Sequence, residues 1–469
     1  MKKPPVNLSR RRLLQAGLGA GALLPGLRLY GADEPRPGPK RFLLYIHLGS
    51  SCGIASGLVQ PRQTGRWPDG FFTFGSAGQA ANPLLNQHVQ EGGMIFHNYN
   101  QFMRDIADDM CLVNGTPVSL AHGDARNLQS TGHTAPGFGT PWEQAVAQFM
   151  RTPELNNPIA ISALAKSMSV PDVTTMQAGS IAEFSEITRD TRSIPVRHMT
   201  PIWQVLKERF AAKVPGSTKI DDGFSEAATF QIDTLTQGLA ALNDADETVR
   251  TLTAALADGN VESLVQSSAD AAAIADNADN GFRNRLILAG VLAKHGIASG
   301  MSVIEGGQDA HGGGADVVTA RYAGGRWALL NLFWKWARQE GLTKDLLVVV
   351  GHEFGRSPYN NSRRDVSIVD ASGNNRSIAC PGRDHGLSMG YTFFHPSVPS
   401  AGRVGSIDRN LVARATTDAA GTILADTPAW TSEKIIGSML MRVFPELFPS
   451  ERMVRKHWPS FREIPPLLT

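Results

Sequence analysis

The sequence predicts an α/β protein built on a doubly wound, mostly parallel sheet with a helical insertion. One observation is "LLVVV" (346–350), an unbroken apolar run of strand length, the mark of a strand buried on both faces. A second is the alternation of helical and strand patterns from 280 to 351, which calls for parallel strands joined by crossover helices. A third is that the apolar runs end in glycine-rich polar loops, where open α/β sheets place their functional residues.

The elements follow in order. Residues 1–32 stand apart: "SRRRLLQAGLGAGALLPGL" puts Arg10, Arg11 and Arg12 directly before a short Gly/Ala-rich apolar run, too short and too weakly apolar to span a bilayer. This is the pattern of a twin-arginine export signal, cleaved near Ala32, and it places the mature chain in the periplasm or at the cell surface. "DEPRPGPK" (33–40) is a spacer, and 41–469 reads as a single α/β domain. "RFLLYIHLGS" is a first buried strand running into the turn "GSSCGIASG". "DDMCLVNGT" is a short strand, "VSLAHGDARNLQSTGHT" leads into a helix, and "ELNNPIAISAL" holds another strand.

The Ala-rich stretch from about 224 to 275 has helical spacing and no strand signal, so it is the expected insertion. "GFRNRLILAGVLAKHG" is a helix, "SGMSVIEGG" a strand, and "GGRWALLNLFWKWARQEG" a second strong helix before the 346 strand. A loop is expected from about Tyr359. "SEKIIGSMLMRVFPELF" forms a last helix, with Ser432 and Glu433 as capping residues.

Charge and cysteine count exclude several classes. Residues 1–32 carry Lys2, Lys3, Arg10, Arg11, Arg12 and Arg28 and no acid, so cleavage takes the formal +2 to 2 − 6 = −4. The basic pI therefore belongs to the precursor, and nothing supports nucleic-acid binding. Three cysteines do not make a disulfide framework, though one bridge is open to them. No later segment has the ~18 consecutive apolar residues of a spanning helix, so no transmembrane segment is expected in the mature chain.

Three polar clusters follow strands. In "EGGQDAHGGG", Asp309 and His311 are two residues apart, which puts both on one side of an extended backbone among glycines. A carboxylate and an imidazole so placed suit a divalent cation, Zn²⁺ or Mn²⁺ rather than Ca²⁺ or Mg²⁺. In "GHEFGRSP", His352 and Glu353 alternate, so only one can face a given site, and Arg356 is able to hold an anionic oxygen. In "CPGRDHGLSMG", Asp384 and His385 form a third acid–histidine pair beside glycine. Each pair alone reads equally well as solvated loop or mutual ion pairing; their recurrence within one third of the chain is what points to a shared site. Cys52, Ser119, His122 and His133 are weaker candidates, read first as turn or core residues. There is no P-loop, C-x-x-C, G-x-S-x-G, H-E-x-x-H or dinucleotide fingerprint.

Taken in order, the twin-arginine segment, the first strand with its Gly/Ser turn, "QDAHG", "VVVGHEFGRSP" and "GRDHG" resemble the bacterial family called domain of unknown function 1501. Members of that family show D-T-H, then S-E-F-G-R-T, then G-x-D-H-G. The resemblance is scattered over 41–450 and is firmest in "EFGR" and "GRDHG". It implies the doubly wound fold of the alkaline phosphatase and sulfatase superfamily, which binds divalent metals at strand ends. Asp309 and His311 then match the D-x-H pair, and Asp384 and His385 the last motif. His352, Glu353 and Arg356 take the position where superfamily enzymes keep an Asp-His metal pair. His122 matches a histidine after the second strand. The chain departs from the family at the first turn, where "GSSCG" replaces an acidic residue, and at His352 and Ser357.

The function this implies is an exported metal-dependent hydrolase acting on phosphate or sulfate esters, its substrate an anionic small molecule or polymer. The metal is held by some of Asp309, His311, His352, Glu353, Asp384 and His385, with Arg356 and His122 as catalytic groups. The alternative is a non-catalytic periplasmic or cell-surface binding protein that keeps the fold.

Overall fold

The computed structural model describes residues 41–49, 88–91, 94–117, 119–134, 139–149, 159–162, 173–186, 245–266, 280–305, 311, 315–353, 356–369, 374–385, 388–399, 402–407, 413–416, 423–464 and 467. Residues 1–32, expected to be an export signal, the expected spacer, the first Gly/Ser turn with Cys52, and Asp309 lie outside them.

The strands are β1 (Phe42–Leu48), β2 (His88–Glu91), β3 (Met94–His97), β4 (Met110–Pro117), β5 (Ile159–Ile161), β6 (Thr174–Met176), β7 (Gly300–Glu305), β8 (Leu346–His352), β9 (Arg356–Val369), β10 (Asn375–His385), β11 (Ser388–Phe394), β12 (Gly402–Val404), β13 (Ser406–Ile407), β14 (Ala413–Thr416) and β15 (Ile423–Pro428). The helices are α1 (His122–Thr131), α2 (Trp142–Phe149), α3 (Asp246–Ala255), α4 (Asp258–Gln266), α5 (Asn280–His295), α6 (Ala315–Gln339), α7 (Ser432–Val443) and α8 (Glu451–Arg455).

Eight strands form one sheet in the order β12-β4-β11-β8-β1-β7-β5-β6. Within it β11 runs antiparallel to β4 and β8, and every other pairing is parallel. The predicted mostly parallel α/β architecture is therefore present. Period-two alternation divides each central strand between two cores. On one face Phe42, Leu44, Ile46 and Leu48 of β1 join Leu346, Val348 and Val350 of β8 under α5 and α6. On the other, Leu43, Tyr45, Leu347 and Val349 pack against Trp142 of α2, Ile435 and Met439 of α7, and Val454 of α8. Helices cover both faces, which is why β1 and β8 read as continuous apolar runs.

Leu252, Leu256, Val261 and Val265 of α3 and α4 pack into the α5–α6 core; these two helices fall within the Ala-rich stretch, the rest of which lies outside the described residues. Two details differ from the sequence reading. The expected loop after Tyr359 is an antiparallel ribbon, β9 with β10. Its Ser, Asn and Pro content reads as loop because these residues favour turns and its polar strands carry no apolar alternation; the cross-strand pairing is what holds it extended. The helix expected to be the last is α7, which starts at Ser432 with Thr431 as its N-cap, so Ser432 and Glu433 lie inside the first turn, and the short α8 follows it.

Candidate functional site

In a parallel sheet every strand delivers its C-terminal end to one edge. β1 ends beside His47 and Leu48, β8 beside His352 and Glu353, and β7 at Glu305, which leads toward His311. Being antiparallel, β11 starts at that same edge: Ser388 pairs with Pro117 and Gly390 with His352. Asp384 and His385, just before β11, are thereby brought beside the ends of β4 and β8.

Helix α1 follows β4 and is seated from its C-terminal end. Indole Nε1 of Trp142 donates to Gln129 O, and Nε1 of Trp458 donates to Thr131 O at 3.1 Å. Gln129 Nε2 donates to the carbonyl of His352, tying the helix to the end of β8. Gly351 is required beneath this contact: a Cβ there would stand 2.7 Å from the Tyr45 hydroxyl oxygen and 3.1 Å from Gln129 Oε1. Clamped at that end, α1 presents His122, its first residue, at the sheet edge.

Five of the expected residues meet there. His122 Nδ1 lies 2.9 Å from Glu353 Oε2. The His122 and His385 rings meet edge to face with centroids 4.7 Å apart, and the His385 and His311 centroids are 4.6 Å apart. His385 Nδ1 is 2.7 Å from the carbonyl oxygen of Leu120, His311 Nδ1 is 2.7 Å from Asp384 Oδ1, and the two Nε2 atoms of His311 and His385 are 3.0 Å apart. The result is a continuous series, Glu353–His122–His385–His311–Asp384, buried at the glutamate and open at the aspartate, whose side chains are 5 % and 57 % exposed.

This geometry constrains the protons. A carbonyl oxygen only accepts, so His385 Nδ1 carries a proton. A carboxylate only accepts, so Nδ1 of His122 and of His311 carry protons as well. Two Nε2 lone pairs then face each other at 3.0 Å between His311 and His385, which is repulsive unless a cation, a proton or a metal ion, lies between them. Two imidazoles on one zinc, at Zn–N of ~2.1 Å and a tetrahedral angle, would set their nitrogens about 3.4 Å apart. Ligating histidines also hold their other nitrogen on a carboxylate or backbone carbonyl, which Asp384 and Leu120 supply here. The pair fits a borderline, nitrogen-preferring divalent ion. Among the described residues, no group of three His, Cys, Asp or Glu side chains is arranged as a complete metal site.

The other expected residues are placed differently. His352 sits on the opposite face of β8 from Glu353, its Nε2 3.2 Å from Thr392 Oγ1 and its ring 5.8 Å from that of Trp327. Asp309 lies outside the described residues. Arg356 opens β9 in register with His385, and its side chain lies outside the described set. Ser119 Oγ donates to Asp124 Oδ2 at 3.3 Å and accepts from the N–H of Ala121 at 3.2 Å. His133 is at the far end of α1, where its N–H donates to Thr131 Oγ1 at 3.3 Å.

Sequence reasoning missed His47. It is buried, with Nε2 3.6 Å from Glu353 Oε1, and its Nδ1 has no hydrogen-bond partner among the described residues. A signal existed, since His47 is the one polar-ring residue in the otherwise apolar "FLLYIHL". Burial pushes His457 down to about 3, and it also lowers His395, whose ring nitrogens engage Lys344 O and the N–H of Ser397. A cavity of about 480 Å³ lies away from the histidine series, at the ends of β5 and β6, lined by Ser162, Ser302, Glu183 and Arg285 among others.

A family model described as protein of unknown function (DUF1501) matches residues 64–394. No curated protein matches this chain. Solved structures similar to it include two point mutants of TAB5 alkaline phosphatase with Mg bound in the M3 site. One is 10 % identical with a TM-score of 0.28 and the other 12 % identical with a TM-score of 0.29; each alignment covers 77 % of this chain and 92 % of the solved one. Among the described residues no helix is long and apolar enough to cross a membrane.

Proposed function

The chain belongs to the DUF1501 family, and we propose that it is an exported, metal-dependent hydrolase of phosphate or sulfate esters. The observation that carries this reading is the His311–His385 contact: two Nε2 atoms 3.0 Å apart, each ring held at Nδ1 by an oxygen acceptor. His311 and His385 would hold the ion, Zn²⁺ or Mn²⁺, with Asp384 fixing the tautomer of His311. Asp309 belongs to the same proposed set through its place two residues before His311. A bound divalent ion supplies Lewis-acid polarisation of an ester oxygen. The chain's own groups do the rest. Glu353 orients His122 toward the open side, and Arg356, opposite His385 at the root of the ribbon, is the proposed partner for the anionic oxygens. Export rests on the arginine-led segment at 1–32.

The test is elemental analysis of the natively exported chain beside a His311→Ala, His385→Ala double variant, with turnover of p-nitrophenyl phosphate and p-nitrophenyl sulfate measured on both. About one equivalent of transition metal in the parent, absent from the variant together with turnover, is the expected result. No metal and no turnover in either, with both equally folded, would sink the reading. The second reading is a binding protein that keeps the fold. It requires that the double variant keep both fold and partner binding.

A further inference from the structure

We propose that His122 is the nucleophile of this site, its Nε2 attacking the phosphorus of a phosphate monoester and carrying the phosphoryl group as a covalent intermediate. The inference rests on the ester-hydrolase reading above and commits it to phosphoryl transfer through nitrogen.

Four observations lead to it. First, the carboxylate at Nδ1 holds the proton there, 2.9 Å from Glu353 Oε2, so the lone pair is on Nε2. Second, support and reactive edge are segregated: the Glu353 side chain is 5 % exposed and His122 is 44 % exposed, so the carboxylate is shielded while the imidazole is reachable. Third, the charges match. When Nε2 bonds to phosphorus the ring becomes cationic, and the buried carboxylate on Nδ1–H stabilises that cation in a low-dielectric setting where the interaction is strong. His47, 3.6 Å behind Oε1, blocks Glu353 from turning away, which makes it a positioning residue. Fourth, the other described nucleophiles near this turn are occupied or inaccessible. Ser119 Oγ is engaged with Asp124 and Ala121, and Cys111 is buried in β4 with its thiol pushed up to about 12. His385, edge-on 4.7 Å from His122, puts the proposed cation site next to where the phosphoryl oxygens would lie.

The steps balance. The Nε2 lone pair forms the N–P bond as the P–O bond to the alcohol breaks, and the departing alkoxide takes a proton from water. A second water attacks phosphorus and gives up a proton to the hydroxide left by the first step; the N–P bond breaks, its electron pair returns to Nε2, and phosphate leaves. The proton stays on His122 Nδ1, donated to Glu353 Oε2 throughout, so no other co-reactant is needed.

The test uses phosphoramidate, which transfers a phosphoryl group to imidazole nitrogen with ammonia as an already protonated leaving group. The purified mature chain is incubated with it, and the acid-labile, alkali-stable label is mapped by mass spectrometry across its twelve histidines. Selective labelling of His122 is expected, lost in His122→Gln. Glu353→Gln, whose amide can donate to Nδ1 and so favour the wrong tautomer, should slow it by at least ~100-fold. Because Glu353 is buried its variant could fail to fold. His122→Gln, at a 44 % exposed position, then carries the test with circular dichroism as the control for folding. Label on Ser119, or spread over several histidines at rates that Glu353→Gln leaves unchanged, overturns the proposal. Ester turnover without label on His122 also overturns it and leaves the hydrolase reading standing. Selective label without ester turnover supports His122 as phosphoryl acceptor while removing the hydrolase reading.

Discussion

Glu143 and Glu353 are both buried carboxyls on side chains that point into the protein, and their neighbours could hardly differ more. Glu143, on α2, is fully buried; its Oε1 accepts from Ser162 Oγ at 2.5 Å and Ser302 Oγ at 2.9 Å, and its Oε2 has no partner among the described residues. Desolvation raises its pKa above the usual carboxylate value despite those hydroxyl bonds. Glu353, at the end of β8, is flanked by two imidazoles, His122 and His47. Hydroxyl neighbours bring no charge, so a carboxyl among them escapes the cost of burial by staying protonated. Imidazole neighbours present ring N–H donors, so a carboxylate among them can direct the ring it holds. The first arrangement stabilises a helix–sheet contact. The second orients a reactive side chain.

The comparison can be broken at several points. The largest effect is expected at Gly300, where an added Cβ would stand 2.8 Å from Glu143 Cβ and 2.9 Å from its carbonyl oxygen. Since the clash is partly with backbone, Gly300→Ala should displace α2 and cost about 3 kcal/mol in chemical denaturation. A change under ~0.5 kcal/mol would mean that Glu143 is not held by this close approach. Next is Glu353→Ala, which strips His122 of its acceptor and His47 of its neighbouring carboxylate and should cost about 1–3 kcal/mol by the same measurement. An unchanged stability would show that Glu353 serves orientation alone.

Third is the pH response of Glu143. Its folded pKa is raised, so its contribution to stability is complete below the unfolded value near 4.5 and is lost as pH climbs through the folded value. Glu143→Gln keeps an acceptor for both serines and cannot ionise. Subtracting its thermal-denaturation curve from the parent's should leave a difference that moves against the parent as pH rises above 4.5, and a flat difference would refute the buried neutral acid. The smallest effect on stability belongs to Asp384→Asn. This carboxylate is 57 % exposed, so stability should shift by no more than ~0.5 kcal/mol, whereas zinc affinity by competition titration should fall roughly 10- to 100-fold. Equal affinity would remove Asp384 from the site.

Much of this was legible in the amino-acid order and some was not, for identifiable reasons. β1, β7 and β8 were readable as unbroken apolar runs buried on both faces, and α5 and α6 by their helical apolar spacing. The meeting of His311, Asp384 and His385 was expected from glycine-flanked acid–histidine pairs, each placed just past or just before a strand. The pairing of Glu353 with His122 was not, because the two are 231 positions apart and meet through the ends of two different strands. The β9–β10 ribbon was read as loop, since its polar strands carry no strong apolar alternation and only the cross-strand register reveals them. His47 was passed over as part of an apolar strand, though its alternation parity puts it on the same face as Tyr45 and toward Glu353.

By itself the sequence determined the layered α/β architecture and which residues of β1 and β8 are buried, because both depend on composition and spacing over short windows. The tertiary structure alone decided that β11 runs against its neighbours and so carries His385 back to the edge where β1 and β8 end. It also decided that Glu353 faces His122 while His352 turns to Trp327, and that His311 and His385 meet nitrogen to nitrogen. These are facts of strand direction and long-range register, and no local pattern encodes them.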